Sequence, residues 1–144
     1  MQVLVVDDDP LMVDIASRAL RVGGYQVDGV LSGEAAIRAM AIQKPQLVVL
    51  DARMPIMSGF DLLKLMKSDR QLADIPVIML TGLRAKADVL KAGELGAAAY
   101  IVKPFDTDLL LRRVQRCLAG PKTRGAGVAG DTPPGADSDE TWML

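Results

Sequence analysis

Leu47-Val48-Val49-Leu50-Asp51-Ala52-Arg53-Met54-Pro55 decides how the rest of the chain is read. Four apolar residues run into one aspartate, and a proline follows four positions later. A short, continuous apolar run bounded by turn residues reads as a strand buried on both faces. An aspartate at its end sits at the carboxyl edge of a sheet, where open α/β folds place their chemistry. Taken by itself, Asp51 is equally well explained as the cap of a turn. The neighbouring segments must decide.

Toward the amino terminus, Val3-Leu4-Val5-Val6 is another short apolar run ending in acid, Asp7-Asp8-Asp9. Asp9 before Pro10 fits an N-cap with proline at the first helical position, and Leu11, Ile15, Ala16 and Leu20 recur at helical spacing. Gly23-Gly24 ends that helix. Tyr25 to Leu31 alternates weakly as a second strand, and Ser32 caps a helix over Gly33 to about Gln43. Beyond Pro55, Ser58-Gly59-Phe60-Asp61 resembles a capping box opening a third helix. Pro76 to Leu80 predicts a fourth strand, ending at Thr81-Gly82, and a weaker helix runs from about Arg84 to Leu95. Ala97 to Val102 predicts a fifth strand ending at Lys103-Pro104. Asp106 caps a last helix through Leu109, Leu110, Val114 and Leu118. Five strand–helix alternations predict an α/β fold: a doubly wound, flavodoxin-like (βα)5 unit with a five-stranded parallel sheet in the order 2-1-3-4-5.

Composition narrows the functions. Half of the 144 residues are hydrophobic but only 3% are aromatic, so the core is aliphatic. Histidine is absent, which excludes a Ser-His-Asp triad and His-liganded zinc. The single cysteine, Cys117, excludes an internal disulfide, and its spacing from Val114 and Leu110 makes it a small buried or half-buried packing residue. A net charge of −1 provides no global field for nucleic acid or an anionic membrane. No apolar run predicts a signal peptide or a membrane span, so a cytoplasmic location without membrane insertion is expected. Residues 1–119 are expected to form the domain. Residues 120–144, rich in Gly, Pro and acids, are expected to be a flexible tail ending in the apolar patch Trp142-Met143-Leu144.

Four of the five strands end in groups useful to chemistry: Asp7 and Asp8, Asp51, Thr81 and Lys103. In the order 2-1-3-4-5 the first and third strands are neighbours, so Asp7, Asp8 and Asp51 share one pocket. Three carboxylates repel one another unless a cation sits among them, and oxygen ligands suit Mg²⁺. A cation and a lysine ammonium together can neutralise an incoming phosphoryl group, which is most of what phosphoryl transfer needs. One aspartate would then be the nucleophile.

These residues resemble, over about 1–119, the receiver domain of two-component response regulators, in the style of the single-domain chemotaxis regulators. The Asp-Asp pair, the Asp-x-x-Met-Pro run, the strand-end threonine and the Lys-Pro all occur in order. Their separations are 43 residues from Asp8 to Asp51, 30 from Asp51 to Thr81 and 22 from Thr81 to Lys103. The resemblance implies that Asp51 is the phosphoacceptor. It implies that Asp7, Asp8, Asp51 and the Arg53 backbone carbonyl hold Mg²⁺. Thr81 and Lys103 would contact the phosphoryl group, Thr81 and Tyr100 would form the switch, and Lys103-Pro104 would be a cis peptide. The implied partners are a sensor histidine kinase or a histidine phosphotransfer protein, and a downstream protein contacted by the surface of helix four, strand five and helix five. Ala98-Ala99, where DNA-binding members carry paired acids, and the lack of an output segment after residue 119 lead to the expectation of a monomer or weak dimer without direct nucleic-acid binding. Arg53 and Leu83 flank the site and are expected to slow water's approach to the acyl phosphate. The module would catalyse only its own phosphorylation and dephosphorylation. The alternatives are a phosphorylation-independent scaffold, a receiver fragment of a larger regulator, and a haloacid-dehalogenase-like phosphatase using Asp7.

Overall fold

The computed structural model describes the backbone of residues 2–82 and 85–131 and the side chains of 2–82 and 85–119. Strands β1 (Val3–Val6), β2 (Val27–Val30), β3 (Leu47–Leu50), β4 (Val77–Thr81) and β5 (Ala99–Val102) alternate with helices α1 (Pro10–Val22), α2 (Gly33–Ile42), α3 (Gly59–Lys67), α4 (Lys86–Glu94) and α5 (Thr107–Asp131). All strand pairs are parallel, and the order is β2-β1-β3-β4-β5. The architecture is the expected one.

Two-residue periodicity sends alternate strand residues to opposite faces. Val3, Val5, Leu47, Val49, Ile78, Leu80, Ala99 and Ile101 pack with Ala16 and Leu20 of α1 and Leu110 and Val114 of α5. Leu4, Val6, Val48, Leu50, Val77, Met79 and Tyr100 face Ala36 and Met40 of α2, Leu62, Leu63 and Met66 of α3, and Val89 and Ala92 of α4. Both faces are covered, so β1, β3 and β4 are apolar throughout, apart from the threonine that ends β4. Every face is filled by aliphatic side chains, with Tyr100 and Phe60 the aromatic exceptions among the buried residues.

The caps lie where local chemistry predicts them. The Asp9 carboxylate accepts from the Leu11 amide at 3.0 Å, with Pro10 at the first position of α1. Ser32 Oγ accepts from the Ala35 amide at 3.1 Å. Ser58 and Asp61 exchange side-chain and backbone bonds of 3.1 Å each, completing the capping box of α3. By contrast, α4 has Ala85 at its N-cap, with no side-chain cap bond, and buries only Val89 and Ala92.

Three boundaries differ from the sequence expectation, for backbone reasons. Tyr25 donates its amide to Leu20 O and so closes α1 instead of opening β2. Ala97 likewise donates to Ala92 O and closes α4 instead of opening β5. The backbone of α5 continues to Asp131, past Gly120-Pro121, although nothing in that Gly-rich stretch favours a helix. Residues Leu83, Arg84 and 132–144, including the Trp142-Met143-Leu144 patch, lie outside the described residues. Among the described residues no helix is long and apolar enough to cross a membrane.

One core position has a cost attached. Ser17, on the sheet-facing side of α1, is 3% exposed, and its Oγ has no hydrogen-bond partner among the described residues. A buried hydroxyl without a partner loses its hydration uncompensated. Ser17→Ala is therefore expected to raise stability by about 1 kcal/mol, read as a higher urea midpoint with an unchanged denaturant slope. A lower midpoint would show that the hydroxyl is satisfied in solution.

Candidate functional site

The sheet brings the chemistry to one edge. β1 pairs with β2 on one side and β3 on the other, so the chain direction of the crossovers reverses between β1 and β3. Val6 is in register with Leu50, which places Asp7 and Asp51, the next residues, side by side. Their backbones are fixed by the sheet: the Asp51 amide donates to Val6 O at 2.9 Å, and the Asp7 amide to Val30 O at 3.2 Å. One carboxylate oxygen from each of Asp7, Asp8 and Asp51 lies within 4.8 Å of the others. Asp7 and Asp51 are 4% and 6% exposed, whereas Asp8 opens to solvent.

The other wall comes from β4 and β5. Thr81 ends β4, is buried, and its hydroxyl hydrogen bonds the Asp51 carboxylate. The Lys103 amide donates to Thr81 O at 2.8 Å, which fixes the start of the β5–α5 connection beside the acids. Lys103 Nζ then reaches Asp7 Oδ2 at 2.7 Å and Asp51 Oδ1 at 3.6 Å. The Lys103-Pro104 peptide is cis, as the resemblance implies. Arg53 sits two residues past Asp51 in the β3–α3 connection with its side chain exposed. Tyr100, in the middle of β5, is completely buried against the α2–α4 face.

Electrostatics follows from this packing. Burial pushes the Asp51 carboxyl from 3.8 up to about 6, and the Asp7 charge adds to the rise. The Lys103 ammonium and the Thr81 hydrogen bond oppose it. Lys103 itself is raised: its hydrogen bond to Asp7 and the charge of Asp51 outweigh its partial desolvation. The Tyr100 phenol is pushed up to about 12, first by burial and then by Asp88 and Asp51, and so is a neutral donor at any ordinary pH. Cys117, half-buried as expected, has its thiol pushed up to about 11 by burial and is not a reactive thiolate.

One ammonium among three carboxylates leaves negative charge uncompensated, and all the donors are oxygens. That donor set fits a hard divalent cation of the magnesium type better than zinc or copper.

Two features of the β3–α3 connection have no signal in the sequence. The Gly59 amide donates to Ala52 O at 2.8 Å, and a Cβ on Gly59 would stand 2.0 Å from the Asp51 carbonyl oxygen. Local patterning marks Gly59 only as the first residue after a helix cap. Ile56 has φ +68, the one non-glycine positive φ among the described residues, and the Met57 amide donates across it to Pro55 O at 2.7 Å. This is a γ-turn of the strained kind, and a β-branched residue at its centre costs on the order of 1–3 kcal/mol.

The family described as "Response regulator receiver domain" matches residues 3–115. The DNA-binding dual master transcriptional regulator RpaA of Synechocystis sp. is 37% identical over 118 residues, covering 81% of this chain and 48% of its own. The probable transcriptional regulatory protein TcrX of Mycobacterium tuberculosis is 36% identical over 143 residues, covering 96% of this chain and 60% of its own. The chain thus spans about half of the curated relatives it matches. Among solved structures, the Vibrio cholerae chemotaxis protein CheY4 superposes with a TM-score of 0.77 at 30% identity, covering 81% of this chain and 98% of that one. These relatives correct one expectation. Near-neutral charge, Ala98-Ala99 and the residues after 119 predict no direct nucleic-acid binding, yet RpaA, which shares this segment, is a DNA-binding regulator. The charge of the shared half carries no information about what the remaining half of a longer chain contacts.

Proposed function

Because the chain belongs to the response regulator receiver family, we propose that it is a phosphorylation-operated switch in which Asp51 accepts a phosphoryl group from a phosphohistidine. The observation that carries this reading is the convergence of Asp7, Asp8 and Asp51 with Lys103 at one sheet edge. With a pKa of about 6, Asp51 is ionised at neutral pH and keeps more basicity than an ordinary carboxylate. One Asp51 carboxylate oxygen attacks phosphorus, the P–N bond of the phosphohistidine breaks, and the imidazole leaves with the electron pair. Lys103 holds its ammonium against the developing phosphoryl oxygens, and the Thr81 hydroxyl turns from Asp51 to donate to one of them. Asp7, Asp8, Asp51 and the Arg53 carbonyl would hold Mg²⁺, which supplies charge neutralisation for the phosphoryl group. Water attack on phosphorus breaks the acyl O–P bond, releases inorganic phosphate and restores the free carboxylate, with the exposed Arg53 side chain screening that approach. The chain is a signalling module whose chemistry is confined to itself.

Thr81 and Tyr100 are the proposed switch pair. Tyr100 begins fully buried, and movement of Thr81 toward the phosphate changes the space around it. The weakly held α4 is the element such a change would displace. Residues 1–119 form the proposed receiver unit, with 120–144 as a tail whose first residues continue α5. The proposed donor is a histidine kinase or phosphotransfer protein. The likeness to transcriptional regulators favours control of transcription as the output class.

Beryllofluoride with Mg²⁺, an acyl-phosphate mimic, tests the reading. Amide NMR shifts are expected at Asp51, Thr81 and Tyr100 and along α4 in the wild type, and no response in Asp51→Asn. A wild type that does not respond would reduce the chain to a phosphate-independent scaffold.

A further inference from the structure

The sheet has a second opening, at the edge away from Asp51. The chain enters β3 past Pro45 and β4 directly after Pro76. Proline cannot donate to a ladder, so each marks where regular pairing begins. Near the end of its described side chains, α5 brings Cys117 and Leu118 to these entries, and a cavity of about 340 Å³ lies there. Its lining is apolar through Pro45, Ile75, Pro76, Cys117 and Leu118. The exposed Lys44 and Asp74, which also border it, pair at 3.1 Å. Ile42, 87% exposed, ends α2 two residues before Lys44 and extends the apolar surface. A hollow of this size, mostly apolar with a few charged groups, is built like a binding site.

The sequence supplies a matching occupant. Trp142-Met143-Leu144 is the apolar cluster of the tail, and a tryptophan fills such hollows with large area and little entropy to lose. The distance can be spanned. From Leu118 to Asp131 α5 runs 13 residues, about 20 Å. The 11 residues from Asp131 to Trp142 reach up to about 36 Å when extended. Charge agrees as well. Asp137, Asp139 and Glu140 precede Trp142, while α5 exposes Arg112 and Arg116 beside the cavity and Lys44 stands at its border. Asp74, the acid of the lining, is already paired with Lys44.

We propose that the tail folds back and seats Trp142 in the cavity between Pro45, Ile75 and Leu118, with Met143 and Leu144 against the apolar surface around it. Docking there ties the segment after α5 to the edge opposite Asp51 and leaves the acidic pocket open.

The test uses the full chain, in which Trp142 is the single tryptophan and Cys117 the single cysteine. Wild-type tryptophan emission is expected to be blue-shifted from that of the urea-unfolded chain at every protein concentration. Leu118→Ser and Lys44→Glu should move it to the red while far-ultraviolet circular dichroism is unchanged. Trp142→Ser should speed the reaction of Cys117 with an aromatic disulfide severalfold, because the indole no longer covers it. Wild-type emission equal to that of the unfolded chain would overturn the proposal. A blue shift that survives in both cavity variants would do the same, since Trp142 would then be buried elsewhere. A blue shift lost on dilution would replace the intramolecular contact with one from a second copy. Should Leu118→Ser fail to fold, an unchanged Cys117 rate in Trp142→Ser would still refute the docking.

Discussion

Gly59→Ala is expected to lose about 3 kcal/mol or more of stability, a large part of what holds a domain of this size together. The added Cβ would stand 2.0 Å from the Asp51 carbonyl oxygen, 2.8 Å from its carbonyl carbon and 2.8 Å from Ala52 Cα. All three are backbone atoms, so no side-chain rotation relieves the clash. Retreat is blocked on both sides. The Asp51 amide is tied to Val6 O at 2.9 Å, and the Gly59 amide to Ala52 O at 2.8 Å. Either α3 lifts from the sheet, opening the layer around Leu62, Leu63 and Met66, or the Asp51 peptide shifts and carries its carboxylate out of the pocket. Urea unfolding measures the first outcome, and the beryllofluoride response of the folded fraction measures the second. Ser58→Ala is the control, because it removes only the cap and should cost about 1 kcal/mol. A midpoint for Gly59→Ala no lower than that of the control would refute the backbone-contact account.

The second large effect has the opposite sign. In the metal-free protein, Asp51→Asn is expected to raise stability at neutral pH by on the order of 1–2 kcal/mol, after discounting for solvent screening. The sign follows from proton linkage. Asp51 titrates near 6 in the fold against 3.8 as a free side chain, so between those values the folded state binds more protons than the unfolded one. Stability therefore falls as pH rises through this window, and above about pH 6 the penalty is complete. Asparagine carries no charge to desolvate or to repel Asp7. The melting-temperature gain of Asp51→Asn in chelator should thus be full at pH 7.5 and vanish near pH 4. Magnesium should reverse the ranking by stabilising wild type more than the variant. An equal gain at both pH values would assign the effect to packing instead of charge.

The structure accounts for both signs with the same contacts. Asp51 is held where its charge is costly, by a backbone that Gly59 alone permits to close. Such a site gives up stability for reactivity, as pockets with perturbed acids commonly do.

Much of this was legible in order along the chain. Strand positions followed from runs such as Leu47–Leu50, and the caps at Asp9, Ser32 and Ser58 followed from side chains that satisfy amides two or three residues away. Alternation of strands and helices then implied the order β2-β1-β3-β4-β5, and with it the meeting of Asp7, Asp8, Asp51, Thr81 and Lys103 at one edge. These features depend on periodicity and on neighbours a few residues apart, which any stretch of sequence displays. What only the tertiary structure decided depends on atoms far apart in the chain. Lys103 meets Asp7 across a separation of 96 residues. The rise of Asp51 to about 6 depends on how deeply packing from both sheet faces buries it. The approach of Gly59 to the Asp51 carbonyl and the positive φ of Ile56 are set by the closure of one connection against the finished sheet. Local patterning cannot contain such quantities, because desolvation and close contact arise only when the chain has folded back on itself.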